Sequence, residues 1–473
     1  MMRKLVSRTT LAASLMLIAG MLFATTPLRA QVPATGDTIT LDWDSAWHLA
    51  LKQNETLQIA RNNETAARQK VREAYSAAMP TVDYSGTFNH YFEIPSTIFT
   101  LPSSMSPSGS PLRVKTQFGS ENNISMNVQL TQPLWLAGKV GYGLKAAKTY
   151  KELSGYQVKV ASEDLHVQLM QTYYGAILAD RGLAVAQESL NQATDHLNQV
   201  QQMHQQGVAS DYDLIRAQVA VSNLKPNVSQ AEANRDLVYK SLKNMLGMDV
   251  DKPIKLVDNL EEAIAPPTLD YEDASAAALH QRVELRQLDL QEQLYEIEYK
   301  VNKRNVLWPN LLAGLRFESS AQAQDMKFGK YEFLNGYGGQ VILQIPLFDG
   351  FSSHWKAQQS KISIRNTKLQ RDQLERGIRL QVFEALRTYQ RSSEELNAAK
   401  ESLGQAEKGY SIAESRYQSG VGTQLESLDA QLQLNVSRVN LLQAEYNLLI
   451  ARANFDRASG SRFVDNDSDR EKR

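Results

Sequence analysis

The chain repeats itself, and this repeat constrains its fold more than any other feature. The segment GVASDYDLIRAQ begins at Gly207, and the related segment GVGTQLESLDAQ begins 213 positions later at Gly420. Pro133 in QPLWLAG and Pro346 in IPLFDG are separated by the same 213 positions. Further upstream, ALKQNETLQ is echoed by ALHQRVELR. Landmarks that recur in the same order indicate two tandem copies of one structural unit.

Each copy has the same predicted layout. A helical segment ends at a proline, two strand-like runs follow, a long helical stretch reaches the Gly-Val turn, and a shorter helix closes the copy. For the first copy, residues 31–260, we expect a helix, a β-hairpin and two further helices at 44–79, about 81–133, 139–206 and 212–246. For the second copy, residues 261–460, we expect the matching elements at 273–307, about 310–346, 353–419 and 425–459, and then a polar tail at 461–473.

The long helical stretches carry heptad repeats in matching register. Apolar residues recur every seven positions at Leu183, Leu190 and Leu197, and again at Leu396, Leu403, Tyr410 and Tyr417. Alanines lie between many of them, which lets neighbouring helices approach closely. This spacing predicts a coiled-coil seam along each long helix.

The N-terminus has the pattern of an export signal. Basic residues precede an apolar run at 11–24, and the small-residue motif LRA ends at Ala30. This order predicts a cleaved signal peptide over residues 1–30, with the mature chain beginning near Gln31. The apolar run is too short for a comfortable membrane span, which needs about 20 residues. We therefore expect that the chain is exported and that it enters a membrane only as β-strand.

The predicted strands alternate between apolar and polar residues. In NISMNVQLTQ, Ile124, Met126, Val128 and Leu130 alternate with polar neighbours. The pattern is typical of an outer-membrane barrel strand, and it also fits a soluble sandwich with one wet face. One chain supplies four such strands, so two chains would supply eight and three would supply twelve. Four strands cannot close a barrel, and a barrel of about eight has an interior filled by side chains. A channel therefore needs three chains.

The layout and the motifs resemble the TolC-type outer-membrane efflux proteins over nearly all of the mature chain. ALKQNETLQ, QPLWLAG, IPLFDG and the two Gly-Val turns carry the resemblance, and RYQSGVGTQLESLDAQ is the most specific motif. The resemblance implies a mainly α fold with a membrane β-barrel part, built as a homotrimer with twelve barrel strands and a long helical tunnel across the periplasm. It also implies outer-membrane lipid around the barrel, a periplasmic adaptor protein, and an inner-membrane RND or ABC transporter. The function implied is export of small molecules or polypeptides from a Gram-negative cell.

The resemblance also assigns roles at the two turns. Residues at the hairpin tips are expected to contact the adaptor: Gly207, Val208, Ser210, Gly420, Val421 and Thr423. Four others are expected to line or hold the periplasmic aperture: Asp213, Tyr417, Glu426 and Asp429. Because Glu426 and Asp429 are three residues apart, they share a helix face. A well-studied family member has an arginine where this chain has Gly422, so any lock at the aperture must be built differently.

Other classes of function fit the sequence less well. The net charge is −1, which argues against a nucleic-acid partner, and the absence of cysteine excludes a thiolate site or a cysteine lipid anchor. The seven histidines have no metal-ligand spacing, and no nucleophile motif is present, so we expect neither an enzyme nor a cofactor. An exported structural or adhesin-like coiled coil is the alternative, although it leaves the strands unexplained. Residues Ile94–Arg113, rich in Pro and Ser, are predicted to form a loop outside the cell.

Overall fold

A computed structural model describes residues 39–102, 104, 107, 112–260, 270–325 and 331–460. The predicted signal peptide and the polar tail at 461–473 lie outside the described residues. The first copy comprises β1 Ile39–Leu41, α1 Trp43–Gln53, α2 Glu55–Ser76, β2 Thr81–His90, β3 Ser96–Leu101, β4 Leu112–Gln117, β5 Asn122–Leu136, α3 Lys139–Gln205, α4 Asp211–Met245 and β6 Ile254–Leu256. The second comprises α5 Tyr271–Gln281, α6 Val283–Lys303, β7 Asn310–Ala323, β8 Leu334–Gln344, α7 Ser352–Gln418 and α8 Gln424–Ala458.

Four strands form one antiparallel sheet in the order β2-β5-β7-β8. The predicted alternation of apolar and polar residues is in register across all four strands. One row of paired residues is apolar and consists of Tyr84, Val128, Phe317 and Tyr337. The adjacent row is polar or small and includes Asn127 and Glu318 in its centre. The two predicted hairpins are therefore halves of one sheet, joined by β5 and β7. Within the described part of the chain, β2 and β8 each have a neighbour on one side only.

The prediction of a loop at 94–113 is wrong at both ends of the segment, where the chain forms strands. β3 and β4 pair with each other in antiparallel register, from Ser96 opposite Gln117 to Leu101 opposite Leu112. Phe99 and Phe118 make an edge-to-face contact beside this pair, with ring centroids 5.2 Å apart. The β-branched residues of both segments favour a strand here, and the Pro and Ser content of the whole stretch had indicated a loop.

The first helical segment of each copy is two helices, whereas one was predicted. The backbone is extended at Asn54, between α1 and α2, and at Arg282, between α5 and α6. The Asn54 side chain accepts a hydrogen bond from Leu57 N (3.1 Å) and donates one to Met245 O (3.0 Å). Asparagine is a strong N-cap residue, so a new helix, α2, begins directly after it.

Two long helices, α3 and α7, run along most of the helical part of the molecule. α3 and α7 each have 67 residues, which corresponds to about 100 Å of helix. Near the sheet, α3 packs against α2 and α6; farther away it packs against α4 and α8. The predicted heptad seam is confirmed in part: Leu396 and Tyr417 are buried on α7, whereas the three heptad leucines of α3 are half-buried. No helix within the described ranges is both long enough and apolar enough to cross a membrane.

A compact core lies part-way along α3. Tyr173, Leu169 and Leu242 are fully buried there. The carboxylate of Asp258 accepts hydrogen bonds from the Tyr173 hydroxyl and from Trp43 N, each at 2.7 Å. Short parallel strands β1 and β6 pair beside it. These contacts join the beginning and the end of the first copy, and the sequence analysis did not predict them.

The joints between sheet and long helix use the same backbone conformation in both copies. Ala137 and Gly138 have φ angles of 53° and 73°, and Gly350 and Phe351 have 66° and 63°. Two consecutive residues with positive φ thus separate the sheet from the first residue of each long helix. One residue of each pair is glycine, which adopts this conformation without strain.

Candidate functional site

The two Gly-Val turns have matching geometry. Gly207 and Gly420 follow the ends of α3 and α7 with φ angles of 75° and 73°. The next residue closes each helix in the same way: Val208 N donates to Met203 O at 2.9 Å, and Val421 N donates to Arg416 O at 3.0 Å. A β-carbon added to either glycine would meet no atom within 4 Å. Glycine is therefore needed here for its backbone conformation and not for lack of space.

Both turns continue into a capping box. In the first, Asp213 N donates to Ser210 Oγ at 3.2 Å, and Ser210 N donates to the Asp213 carboxylate at 3.2 Å. In the second, Thr423 and Glu426 make the same reciprocal pair, at 3.2 and 3.3 Å. The carboxylates predicted at the aperture thus start α4 and α8, where negative charge is favourable.

Apolar side chains are exposed on both tips at matching positions. Val208 and Val421 are 68% and 74% exposed, and Tyr212 and Leu425, each four residues further, are also exposed. The ends of the two hairpins thus expose four large apolar groups, which are available for contact with a partner.

A buried polar contact joins the two hairpins within one chain. Gln424 Nε2 lies 3.3 Å from His196 Nε2 and donates to Asp213 O at 3.1 Å. The ring of Tyr417 packs against His196, with centroids 5.2 Å apart, and all three side chains are less than 9% exposed. Burial lowers the pKa of His196, and it raises the pKa of Tyr417, as do the nearby carboxylates of Asp213 and Glu414 to a smaller extent.

The equivalent positions in the first copy make a different contact. His204 and Asp211 lie 213 positions before Tyr417 and Gln424. His204 Nε2 lies 2.7 Å from Asp211 Oδ1, and this pair is at the surface. His196, His204 and Gln424 were not among the predicted site residues. Only His204 could have been found by aligning the two copies, because it is the equivalent of the predicted Tyr417.

Among the predicted aperture residues, Tyr417 and Asp213 lie together at the junction of the hairpins. Glu426 and Asp429 are exposed on α8. The Glu426 carboxylate is 4.0 Å from the Arg416 guanidinium, so part of its charge is compensated. Asp429 is exposed and one turn further along α8.

Gly422 is confined by the preceding helix. A β-carbon at this position would lie 3.0 Å from Arg416 Cβ and 3.1 Å from Tyr417 N. Gly422 N also donates to Arg416 O at 2.9 Å. An arginine at this position would therefore require the turn to shift, which gives a physical reason for the departure from the family pattern.

Comparison with known proteins agrees with this architecture. The family model described as outer membrane efflux protein matches residues 46–248 and 274–461. The chain belongs to the outer membrane efflux protein family. Each match covers one tandem copy, so the repeat is a property of the family model as well as of this chain.

Relatives and solved structures are similar over most of their length. The toluene efflux pump outer membrane protein TtgC of Pseudomonas putida is 23% identical over 428 residues, covering 87% of this chain and 81% of that protein. The CusC structure aligns with a TM-score of 0.69 at 16% identity, covering 91% of this chain and 95% of CusC. The CmeC outer membrane channel of Campylobacter jejuni aligns with a TM-score of 0.68 at 19% identity, covering 91% and 88%. The fold is therefore that of the TolC-type channels.

Within the described ranges, no group of side chains has the composition of a metal site. The geometry of the turns supports a mechanical and an electrostatic role. It holds two hairpin ends at one depth, joins them through His196 and Gln424, and presents carboxylates and exposed apolar groups beside the turns.

Proposed function

We propose that three copies of this chain form the outer-membrane exit duct of a tripartite efflux pump. The observation that carries the proposal is the four-stranded antiparallel sheet, whose edge strands β2 and β8 each lack a second neighbour among the residues that the structure describes. Unpaired edges are not tolerated in lipid, so each chain must pair with another. Three sheets joined edge to edge make a barrel of twelve strands, which is wide enough for a channel.

The alternating faces of the sheet support this assembly. The row from Tyr84 to Tyr337 is apolar and exposed at both edges, as expected of a surface that faces lipid. The neighbouring polar row would face a water-filled interior. With the sheet in the outer membrane, the helices of about 100 Å would continue the duct across the periplasm.

The turn region is proposed as the end of the duct that meets its partners. Exposed Val208, Val421, Tyr212 and Leu425 would contact a periplasmic adaptor protein, which in turn would join the duct to an inner-membrane RND or ABC transporter. Glu426 and Asp429 from three chains would place six carboxylates around the mouth, where like charges raise the local cation concentration. Tyr417 and Asp213 would help to hold the mouth closed.

The exported compound is proposed only at the level of class. Relatives include a toluene efflux pump component from Pseudomonas putida and the protein CyaE of Bordetella pertussis. Small toxic molecules or polypeptides would pass through the same duct, and the inner-membrane transporter would determine which of them is exported. Export by a signal peptide cleaved after Ala30, without a lipid anchor, belongs to the same proposal.

Mass measurement on detergent-purified protein tests the assembly. We expect three chains per particle, fractionation with the outer membrane, and a mature N-terminus at Gln31. A stable monomer of the full chain would refute the duct and would favour an exported structural coiled coil. Deletion of the gene should also increase sensitivity to exported toxic compounds if the chain serves a drug pump.

A further inference from the structure

A cavity of about 340 Å³ lies between α3, α4 and α8. Its walls are formed mainly by apolar side chains, among them Val185, Leu224 and Val436, and none of the described residues that line it carries a charge. Small-molecule sites in proteins have volumes of about 300–1,000 Å³, mostly apolar walls and a few placed polar groups. The cavity therefore has the size and the chemistry of a site for a small uncharged molecule.

Small residues of α3 leave the space open. Gly182 and Ala186 line the cavity one helical turn apart, and a β-carbon added to Gly182 would meet no atom within 4 Å. In the second copy, Glu395 stands at the position equivalent to Gly182, and in the first copy Asn223 stands at the position equivalent to Val436. The small and apolar lining is therefore particular to this place in the chain and is not required by the repeat.

One polar group in the wall can orient a ligand. Asn435 lines the cavity, and its Oδ1 atom is buried without a hydrogen-bond partner among the residues that the structure describes. A buried acceptor without a donor is unfavourable. A molecule that carries one N–H or O–H group beside an apolar body would supply the donor and fill the apolar space.

Closure of the ring of three chains leaves the cavity uncovered. α3 lies between α4 and α8, and α8 lies between α3 and α7, so both flanks of each helix are occupied within one chain. Asp429, Leu432 and Val436 follow one another on α8 at spacings of three and four, which places them on one face. With Asp429 facing the mouth, as proposed above, the cavity opens into the duct about 10 Å from the ring of carboxylates.

A helix of a partner protein is too large for this space. An α-helix with its side chains is about 10 Å across, so a single turn of it occupies about 400 Å³. We propose that the cavity is a transit site on the inner wall of the duct for a small uncharged apolar molecule with one hydrogen-bond donor. The proposal rests on the duct proposed above, and it adds a class of exported compound and the place where that compound binds.

Protection of a cysteine from labelling tests the site, since the natural chain contains no cysteine. The full chain carrying Val436→Cys is purified in detergent, and its rate of labelling by N-ethylmaleimide is measured with and without 1-naphthol. We expect 1-naphthol to slow the labelling several-fold. Naphthalene-1-sulfonate has a similar size but is charged, and it should have little effect because no cation lines the cavity among the described residues. Equal protection by the sulfonate would overturn the proposed class of ligand.

The matched control carries Asn223→Cys, which is exposed at the equivalent position on α4. Its labelling should not change with 1-naphthol, and equal slowing at both positions would assign the effect to the detergent micelle and overturn the site. Gly182→Leu added to the Val436→Cys chain should fill the cavity and abolish protection. Gly155→Leu, on the same helix and also with open space around it, should retain protection. Protection that survives Gly182→Leu would likewise overturn the site.

Planar-bilayer recordings test the position on the inner wall. Modification of the Val436→Cys channel by a positively charged methanethiosulfonate should lower its conductance for cations. Unchanged conductance after complete modification would place the cavity outside the duct and overturn the transit site. If the native particle has three chains and 1-naphthol gives no protection, the site is refuted while the duct survives. A native particle of one chain refutes the duct itself.

Discussion

Tyr417 and His196 lie with their ring centroids 5.2 Å apart, although they belong to different copies of the repeat. Both are buried, together with Val200 and Ala217, in a small cluster beside the turns. Gln424 reaches the same histidine from the start of α8. Because this cluster joins the two hairpins, it must open before their ends can separate within a chain.

Tyr417→Ala should raise the resting conductance of the reconstituted channel. Removal of a buried aromatic ring costs about 3 kcal/mol, which would loosen the contact between the hairpins. Tyr417→Phe should remain close to the natural protein in planar-bilayer recordings, because the ring makes the contact with His196. Tyr212→Ala is the control, since Tyr212 is 68% exposed. Equal opening by the Phe and Ala variants would instead assign the closing role to the hydroxyl.

Asp429→Asn should reduce cation selectivity more than Glu426→Gln. Glu426 accepts a hydrogen bond from Thr423 N and lies 4.0 Å from the Arg416 guanidinium, whereas Asp429 is exposed. The double variant should relieve block by multivalent cations without changing the mass of the native particle. Both effects should weaken with added salt, since charges beyond roughly 8 Å are screened at about 0.15 M. Unchanged selectivity and block would reduce both residues to ordinary N-terminal charges of α8.

Gly207→Ala and Gly420→Ala should each lower the free energy of unfolding by about 1 kcal/mol, because a β-carbon is disfavoured at positive φ. Asparagine tolerates this conformation, so Gly207→Asn and Gly420→Asn should lose less. Gly422 is different, since a β-carbon there meets Arg416 at 3.0 Å. Gly422→Ala and Gly422→Asn should therefore be equally harmful in thermal unfolding. Rescue by asparagine at position 422 would contradict the steric argument.

Stability should fall on acidification because of His166. Burial lowers the pKa of His166 to about 4 from the ordinary value of 6.5. In the unfolded chain, this histidine binds a proton as the pH falls below about 6.5, whereas in the folded chain it does so only near pH 4. The free energy of unfolding therefore decreases as the pH falls between these two values. The loss reaches about 3 kcal/mol below both values. His166→Gln should flatten the pH dependence of the unfolding midpoint; an unchanged slope would contradict the assignment.

Ala137→Gly should stabilise the joint between β5 and α3 by about 1 kcal/mol. Ala137 has a φ angle of 53°, and its equivalent in the second copy is Gly350. Gly138→Ala should have the opposite effect, because Gly138 has a φ angle of 73°. Thermal unfolding of the two variants is the measurement. A loss on Ala137→Gly would mean that packing of the buried methyl group outweighs backbone strain.

Much of the candidate site could be predicted from local sequence. Glycine followed by a cap residue indicates a helix end and a helix start, and the structure has Ser210 and Thr423 as the N-caps. The strand alternation was likewise confirmed, and the heptads were confirmed in part. The breaks at Asn54 and Arg282 were missed, because a single extended residue inside a helical pattern leaves the apolar period almost unchanged.

The sequence by itself determined the two copies, the 213-residue offset from the hairpin strands onward, the order of the four sheet strands and the helices that follow them, and the conformation of each turn. These depend on periodicity and on backbone preferences, which act over a few residues. Only the tertiary structure decided that β5 pairs with β7 and that Tyr417 and Gln424 face His196 while His204 and Asp211 face the surface. Equivalent residues in a repeat have the same local preferences, and which of them becomes buried depends on the neighbour that packing brings to each side.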